Sequence, residues 1–165
     1  VDMNNPQDPK NAQNIAPERR SKSIGLQGIE LSVEETPAAC DLESFWQILI
    51  DYNRSKAGIA KHEKLNILLR EKDGHIIGGL NGVISRGWLF VENLAIKESH
   101  RGTGLGGTLL KAAEEESIKR GCKSVYLDTF SFQALPFYQK QGYSIFGTLP
   151  DFPEGHSKYF LWKKL

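Results

Sequence analysis

"LAIKESHRGTGLGGTLL", residues 94 to 110, packs four glycines and one arginine into its middle. Chains cluster glycine where backbone must approach a partner closely or where a turn needs positive φ. A phosphate-binding P-loop requires G-x-x-x-x-G followed by a lysine that neutralises the β- and γ-phosphates. Gly102 and Gly107 have that spacing, but Thr108 stands in the lysine's place, which speaks against ATP. Gly102, Gly104 and Gly107 also satisfy the dinucleotide fingerprint G-x-G-x-x-G, and Asp128 follows at a strand end. That reading fails on context. The preceding strand stops several residues before the first glycine, and too little chain follows for a doubly wound parallel sheet. A third reading accounts for Arg101: successive backbone N–H groups at a helix start form an anion cradle, and the guanidinium adds a charge-assisted bond. A pyrophosphate fits such a cradle.

Working outward, "GIELSVE" (28–34) alternates as a half-buried strand. Thr36-Pro37 predicts the start of a helix carrying Phe45, Trp46, Leu49 and Tyr52. "LNILLR" (65–70) and "HIIGGLNGVI" (75–84) read as strands joined by a type I′ turn at Asp73-Gly74, and Arg86-Gly87 makes a second turn into "WLFVENLAI" (88–96). After the glycines, Leu105, Leu109, Ala112, Ala113 and Ile118 predict an apolar helical face. "KSVYLDTF" (123–130) is a strand, a helix holding Pro136 follows, and "YSIFGTL" and "SKYFLWKKL" close the chain as strands around "PDFPEGH".

The 165 residues suit one domain with a substantial core. With 21 basic against 20 acidic residues, charge makes no case for nucleic acid or for an anionic membrane surface. No apolar run reaches the roughly 18–20 residues that span a bilayer. Cys40 and Cys122 match no metal spacing and read as free thiols in a reducing cytoplasm, while His62, His75 and His100 share no ligand spacing. No metal is expected. Residues 1–26 are polar and charged and predict a flexible tail ahead of a domain at 27–165.

With this context "LAIKESHRGTGLGGTLL" resembles the acyl-CoA signature of the GNAT superfamily of N-acetyltransferases, built on Arg/Gln-x-x-Gly-x-Gly/Ala. "ALPFYQKQGY" (134–143) resembles that family's second signature, and "GYSIFGTLPDFPEGHSKYFLWKKL" is similar to the tail of a bacterial subgroup. The order of elements matches over about residues 28–165. The resemblance implies an α/β fold with a mostly antiparallel seven-stranded sheet, splayed central strands and helices on both faces. It implies acetyl-CoA as co-substrate, held by Arg101, Gly102, Thr103, Gly104, Leu105, Gly106, Gly107 and Thr108, with the backbone of Leu94, Ala95 and Ile96 taking the pantetheine. Ser131 stands where the family often has an asparagine that helps hold the pantetheine arm.

Acetylating an amine requires removal of a proton from an ammonium whose pKa is near 10 for a lysine-like group, and a donor for the departing thiolate. Glu92, placed with Asn93 inside an apolar strand, is the candidate base; the same carboxylate reads equally as a structural group. Neighbouring strand residues face opposite sides, so Glu92 and Asn93 are expected to give each face of the strand one polar group. Tyr138 matches the family's tyrosine that reaches the sulfur. His156 reads as a loop residue. The expected reaction is direct transfer from acetyl-CoA to a primary amine, either a small molecule or an aminoacyl group. Acetylation of protein lysines or N-termini and non-catalytic acyl-CoA binding are the alternatives. Asp51, Glu92, Asp151 and Glu154 would together favour a cationic acceptor, and the chain is expected to be a monomer or homodimer.

Overall fold

The computed structural model describes residues 19–23 and 28–165. They divide into two compact units, the described residues up to 58 and residues 59–165. In the first unit, strands β1 (Arg19–Ser23) and β2 (Glu30–Glu34) pair antiparallel as a two-stranded sheet, followed by helix α1 (Ala39–Ala57). Part of the expected tail therefore forms a strand; its remaining positions, residues 1–18 and 24–26, lie outside the described residues. Pro37 precedes the helix N-cap, Ala38, which has no side-chain cap.

The second unit holds β3 (His62–Arg70), β4 (Ile76–Ser85), β5 (Trp88–Ile96), α2 (Leu105–Lys119), β6 (Ser124–Phe130), α3 (Leu135–Lys140), β7 (Ser144–Pro150) and β8 (Ser157–Lys164). Its strands form one mixed sheet in the order β3-β4-β5-β6-β8-β7. Only β5–β6 is parallel; the other neighbours run antiparallel. The mixed, mostly antiparallel architecture is as expected, but the sheet has six strands and not seven. The strand at 30–34 accounts for the difference: it pairs with Arg19–Ser23 in a separate two-stranded sheet.

Turn chemistry shows why β3, β4 and β5 meander. Arg86 (φ 50°) and Gly87 (φ 77°) both take positive φ between the paired residues Ser85 and Trp88, the condition for a type I′ hairpin. At Asp73-Gly74 only the glycine does so, within a longer loop closed by Glu71 N–H on His75 O at 2.9 Å. The type I′ turn thus falls at the second of the two predicted turns.

One hydrophobic cluster joins Leu65, Leu80, Leu89 and Val91 of the sheet to Leu109, Leu110 and Ala113 of α2, with Tyr138 of α3 and the following Tyr143. The buried face of α2 runs through Leu109, Leu110, Ala113 and Ser117, rotated from the predicted one, so Ile118 is exposed. Glu114 ties α2 to β8 and to the turn before β7: it accepts from the Tyr143 hydroxyl at 2.9 Å and from Lys163 Nζ at 2.7 Å. Burial, reinforced by the Glu114 charge, pushes the Tyr143 pKa far above that of a free phenol.

Candidate active site

The gap that positions the site is visible in the strand register. β5 pairs with β6 only from Trp88 through Val91, opposite Ser124 through Leu127. From Glu92 onward the two strands part. The β6-facing backbone groups of Leu94, Ala95 and Ile96 are left outside that ladder, and buried or half-buried backbone polar groups require partners.

At the mouth of this gap lies a cleft of about 650 Å³, within the usual range for ligand sites. Its lining includes Leu94, Ala95 and Ile96 on one side and Gly102, Gly104 and Gly107 on another. Phe132, Ala134 and Phe137 wall the third side. Gly102 (φ 76°) and Gly104 (φ 89°) stand in open space but in the left-handed conformation, so backbone geometry is what requires them. At Gly106 and Gly107 an added Cβ would make only ordinary van der Waals contact, 3.4 Å from Phe137 Cζ and 3.5 Å from Gln141 Nε2, so packing within the protein does not require glycine there.

Gly104 is the N-cap of α2, and the first intrahelical bond is Thr108 N–H to Gly104 O at 3.1 Å. The N–H groups of Leu105, Gly106 and Gly107 precede that bond and have no intrahelical acceptor. The first turn carries no acidic residue, so nothing on the helix itself offsets its positive end. Arg101 Nε donates to Ile96 O at 3.1 Å, which fixes the loop to the end of β5. Its guanidinium forms no ion pair among the described residues. The donor set therefore suits a pyrophosphate.

The remaining predicted cradle residues play supporting parts. The Thr103 hydroxyl donates to His100 O at 2.7 Å and the Thr108 hydroxyl to Gly104 O at 3.4 Å, so both brace the loop. Ser131 is also spoken for: its hydroxyl meets His156 Nδ1 at 3.2 Å and accepts Ser157 N–H at 3.2 Å. It clamps the loop after β6 to the β7–β8 loop, and its side chain is absent from the cleft lining. His156, whose ring also meets Phe132 edge-on at 4.9 Å, belongs to that clamp. Asp151 accepts Gly155 N–H at 2.7 Å, which commits one carboxylate oxygen to its own loop.

The two candidate catalytic side chains sit in contrasting surroundings. Tyr138 is 8% exposed, between Phe137 and Tyr143. Its hydroxyl has no hydrogen-bond partner among the described residues and is not sealed from solvent. Burial, with Asp128 adding to it, raises the phenol's pKa, so Tyr138 keeps its proton at neutral and moderately alkaline pH.

Glu92 is exposed, and its position corrects the strand-parity expectation. The β4–β5 register slips between Asn81 and Gly82: Asn81 pairs with Asn93 and Gly82 with Val91. Glu92 is the extra residue of a β-bulge, a device that re-aims side chains. Glu92 and Asn93 consequently share one polar cluster. Asn93 Nδ2 donates to Asn81 Oδ1 at 3.0 Å, and Asn81 Nδ2 donates to Glu92 Oε2 at 2.7 Å. Asn81 was missed in the sequence; its only signal is the in-register polar position on the neighbouring strand. Among the described residues no group of His, Cys, Asp and Glu is placed to hold a metal, and no helix is long and apolar enough to cross a membrane.

Comparison with known proteins bears on the family and the fold. The model of the acetyltransferase (GNAT) family matches residues 26–143. An acetyltransferase of Agrobacterium fabrum is 40% identical over 116 residues, covering 70% of this chain and 85% of the relative. A blasticidin-S acetyltransferase of Streptomyces morookaense is 38% identical over 93 residues, 56% of this chain and 68% of that protein. The crystal structure of an acetyltransferase from Bacillus cereus superposes with a TM-score of 0.75 at 34% identity, covering 79% of this chain and 96% of that one.

Proposed function

The chain belongs to the GNAT family of acetyltransferases, and on that premise we propose that it transfers acetyl from acetyl-CoA to a primary amine by direct attack in a ternary complex. The observation that carries this reading is the pairing of a glycine anion cradle with a parted β5–β6 ladder at one cleft. The pyrophosphate lies on the N–H groups of residues 102–107 with Arg101 beside it. The pantetheine amides take up the backbone groups of Leu94, Ala95 and Ile96 that β6 leaves unpaired.

The chemistry then needs two protons to leave the substrate nitrogen, one before attack and one after it, and one supplied to the sulfur. Glu92 takes a proton from the substrate ammonium, directly or through water, and the free amine attacks the thioester carbonyl. Backbone N–H groups at the parted strand stabilise the oxyanion that develops. The C–S bond breaks as the Tyr138 hydroxyl protonates or hydrogen-bonds the departing sulfur, and the second proton leaves the adduct nitrogen for water, which returns a proton to the tyrosine where it gave one up. The acceptor is a small-molecule amine, a class in keeping with the relative that acetylates blasticidin S.

The test is ligand binding to the wild type and to Gly104→Val. Acetyl-CoA is expected to raise the melting temperature of the wild type, with little shift from NADH or ATP at equal concentration. Gly104→Val places a β-branched residue at φ 89° in the cradle and is expected to lose at least about tenfold in CoA affinity while keeping its circular dichroism. A folded variant with unchanged CoA affinity would place the phosphates elsewhere.

A further inference from the structure

We propose that Asn66, Asn81 and Asn93 form an acceptor-recognition strip that selects amines carrying a carboxamide; this rests on the N-acetyltransferase reading above. The three asparagines stand in one row across the sheet, since Asn66 is the register partner of Asn81 and Asn81 that of Asn93. Side chains alternate along strands, and the flanking Leu65, Ile67, Leu80 and Leu94 belong to the α2-side cluster. The asparagine row therefore faces the opposite side of the sheet, where it lines a shallow, open depression of about 480 Å³.

Bonding within the row is directional and leaves defined capacity. Asn93 donates to Asn81 and Asn81 donates to Glu92, so the carboxylate terminates the series and keeps a free oxygen for an ammonium group. Asn66, at the other end, has no side-chain partner among the described residues and offers a donor beside an acceptor. A carboxamide presents the matching edge and pairs with it through two hydrogen bonds.

Strand spacing of about 4.8 Å puts β3 and β5 roughly 10 Å apart, which sets the separation between the ammonium and the amide. The next row along the same face is Leu68, Gly79 and Ala95, an apolar shelf for the intervening methylenes. Gly79 keeps that shelf open, because an added Cβ would fall 2.9 Å from Leu68 Cδ2 and 3.0 Å from Ile67 O.

The probes are 6-aminohexanamide and methyl 6-aminohexanoate, titrated calorimetrically into the CoA-bound protein. Their acetylation is followed in parallel. The wild type is expected to bind the amide about tenfold tighter than the ester, the worth of the one hydrogen bond, from amide N–H to Asn66 Oδ1, that the ester lacks. In Asn66→Leu the two affinities are expected to converge within about twofold, with CoA affinity retained; Asn66→Ala serves as a second variant with less added bulk. Equal binding of amide and ester by the wild type, or an amide preference that survives both substitutions, overturns the strip. Amide preference without acetylation of either probe supports the strip and removes the acetyl-transfer reading. Acetylation without preference does the reverse.

Discussion

Glu92→Gln is expected to lower kcat by about 10²- to 10⁴-fold at neutral pH, the usual contribution of a positioned general base. Glutamine keeps the length of the side chain and still accepts from Asn81, whose Nδ2 lies 2.7 Å from the Glu92 carboxylate. What it cannot do is take a proton. A lysine-like amine with pKa near 10 becomes free base as pH rises, so the requirement for a protein base fades in that direction. The deficit should therefore shrink steadily from pH 7 to pH 10. A variant impaired equally at every pH makes Glu92 a positioning group. Affinity for acetyl-CoA should not change, because the cradle at residues 102–107 supplies it. Initial rates across pH with saturating acetyl-CoA separate the two roles.

Tyr138→Phe is expected to reduce kcat by about tenfold to a thousandfold, with CoA binding little altered. The substitution removes a hydroxyl that has no hydrogen-bond partner among the described residues, so no acceptor among them is orphaned and packing against Phe137 and Tyr143 survives. Because burial raises its pKa, the phenol stays protonated where amine acetylation is fast, and the wild-type rate should not fall with its ionisation below about pH 10. Tyr138→Phe with wild-type turnover, measured where chemistry limits the rate, would leave water as the proton source.

The glycine loop was legible in the sequence because its requirement is local. Positive φ at Gly102 and Gly104 and a helix starting at Leu105 are properties of a few consecutive residues. Hairpin chemistry at Arg86-Gly87 was legible on the same ground. The first strand's partner was not, since residues 30–34 alternate correctly for either sheet and the pairing with Arg19–Ser23 is set by chain neighbours of low apolar content. Glu92 was found as a polar residue in an apolar strand, but its direction was not, because a bulge inserts one residue without a composition signal. Ser131 shows the limit of positional correspondence. Its place matches a pantetheine-binding position, yet its hydroxyl is held by His156 and Ser157 from a loop 25 residues on. Asn66 and Asn81 became visible only once the register aligned them across strands.

Amine-dependent thiol release from acetyl-CoA, with intact-mass analysis of both product and protein, tests direct transfer to an amine most sharply. Direct transfer predicts that free CoA thiol appears only when an amine is present, in one-to-one proportion with its N-acetyl product, while the mass of the protein stays unchanged. Acetylated protein accumulating without amine, or bound acetyl-CoA that no amine from a broad panel discharges, would contradict it.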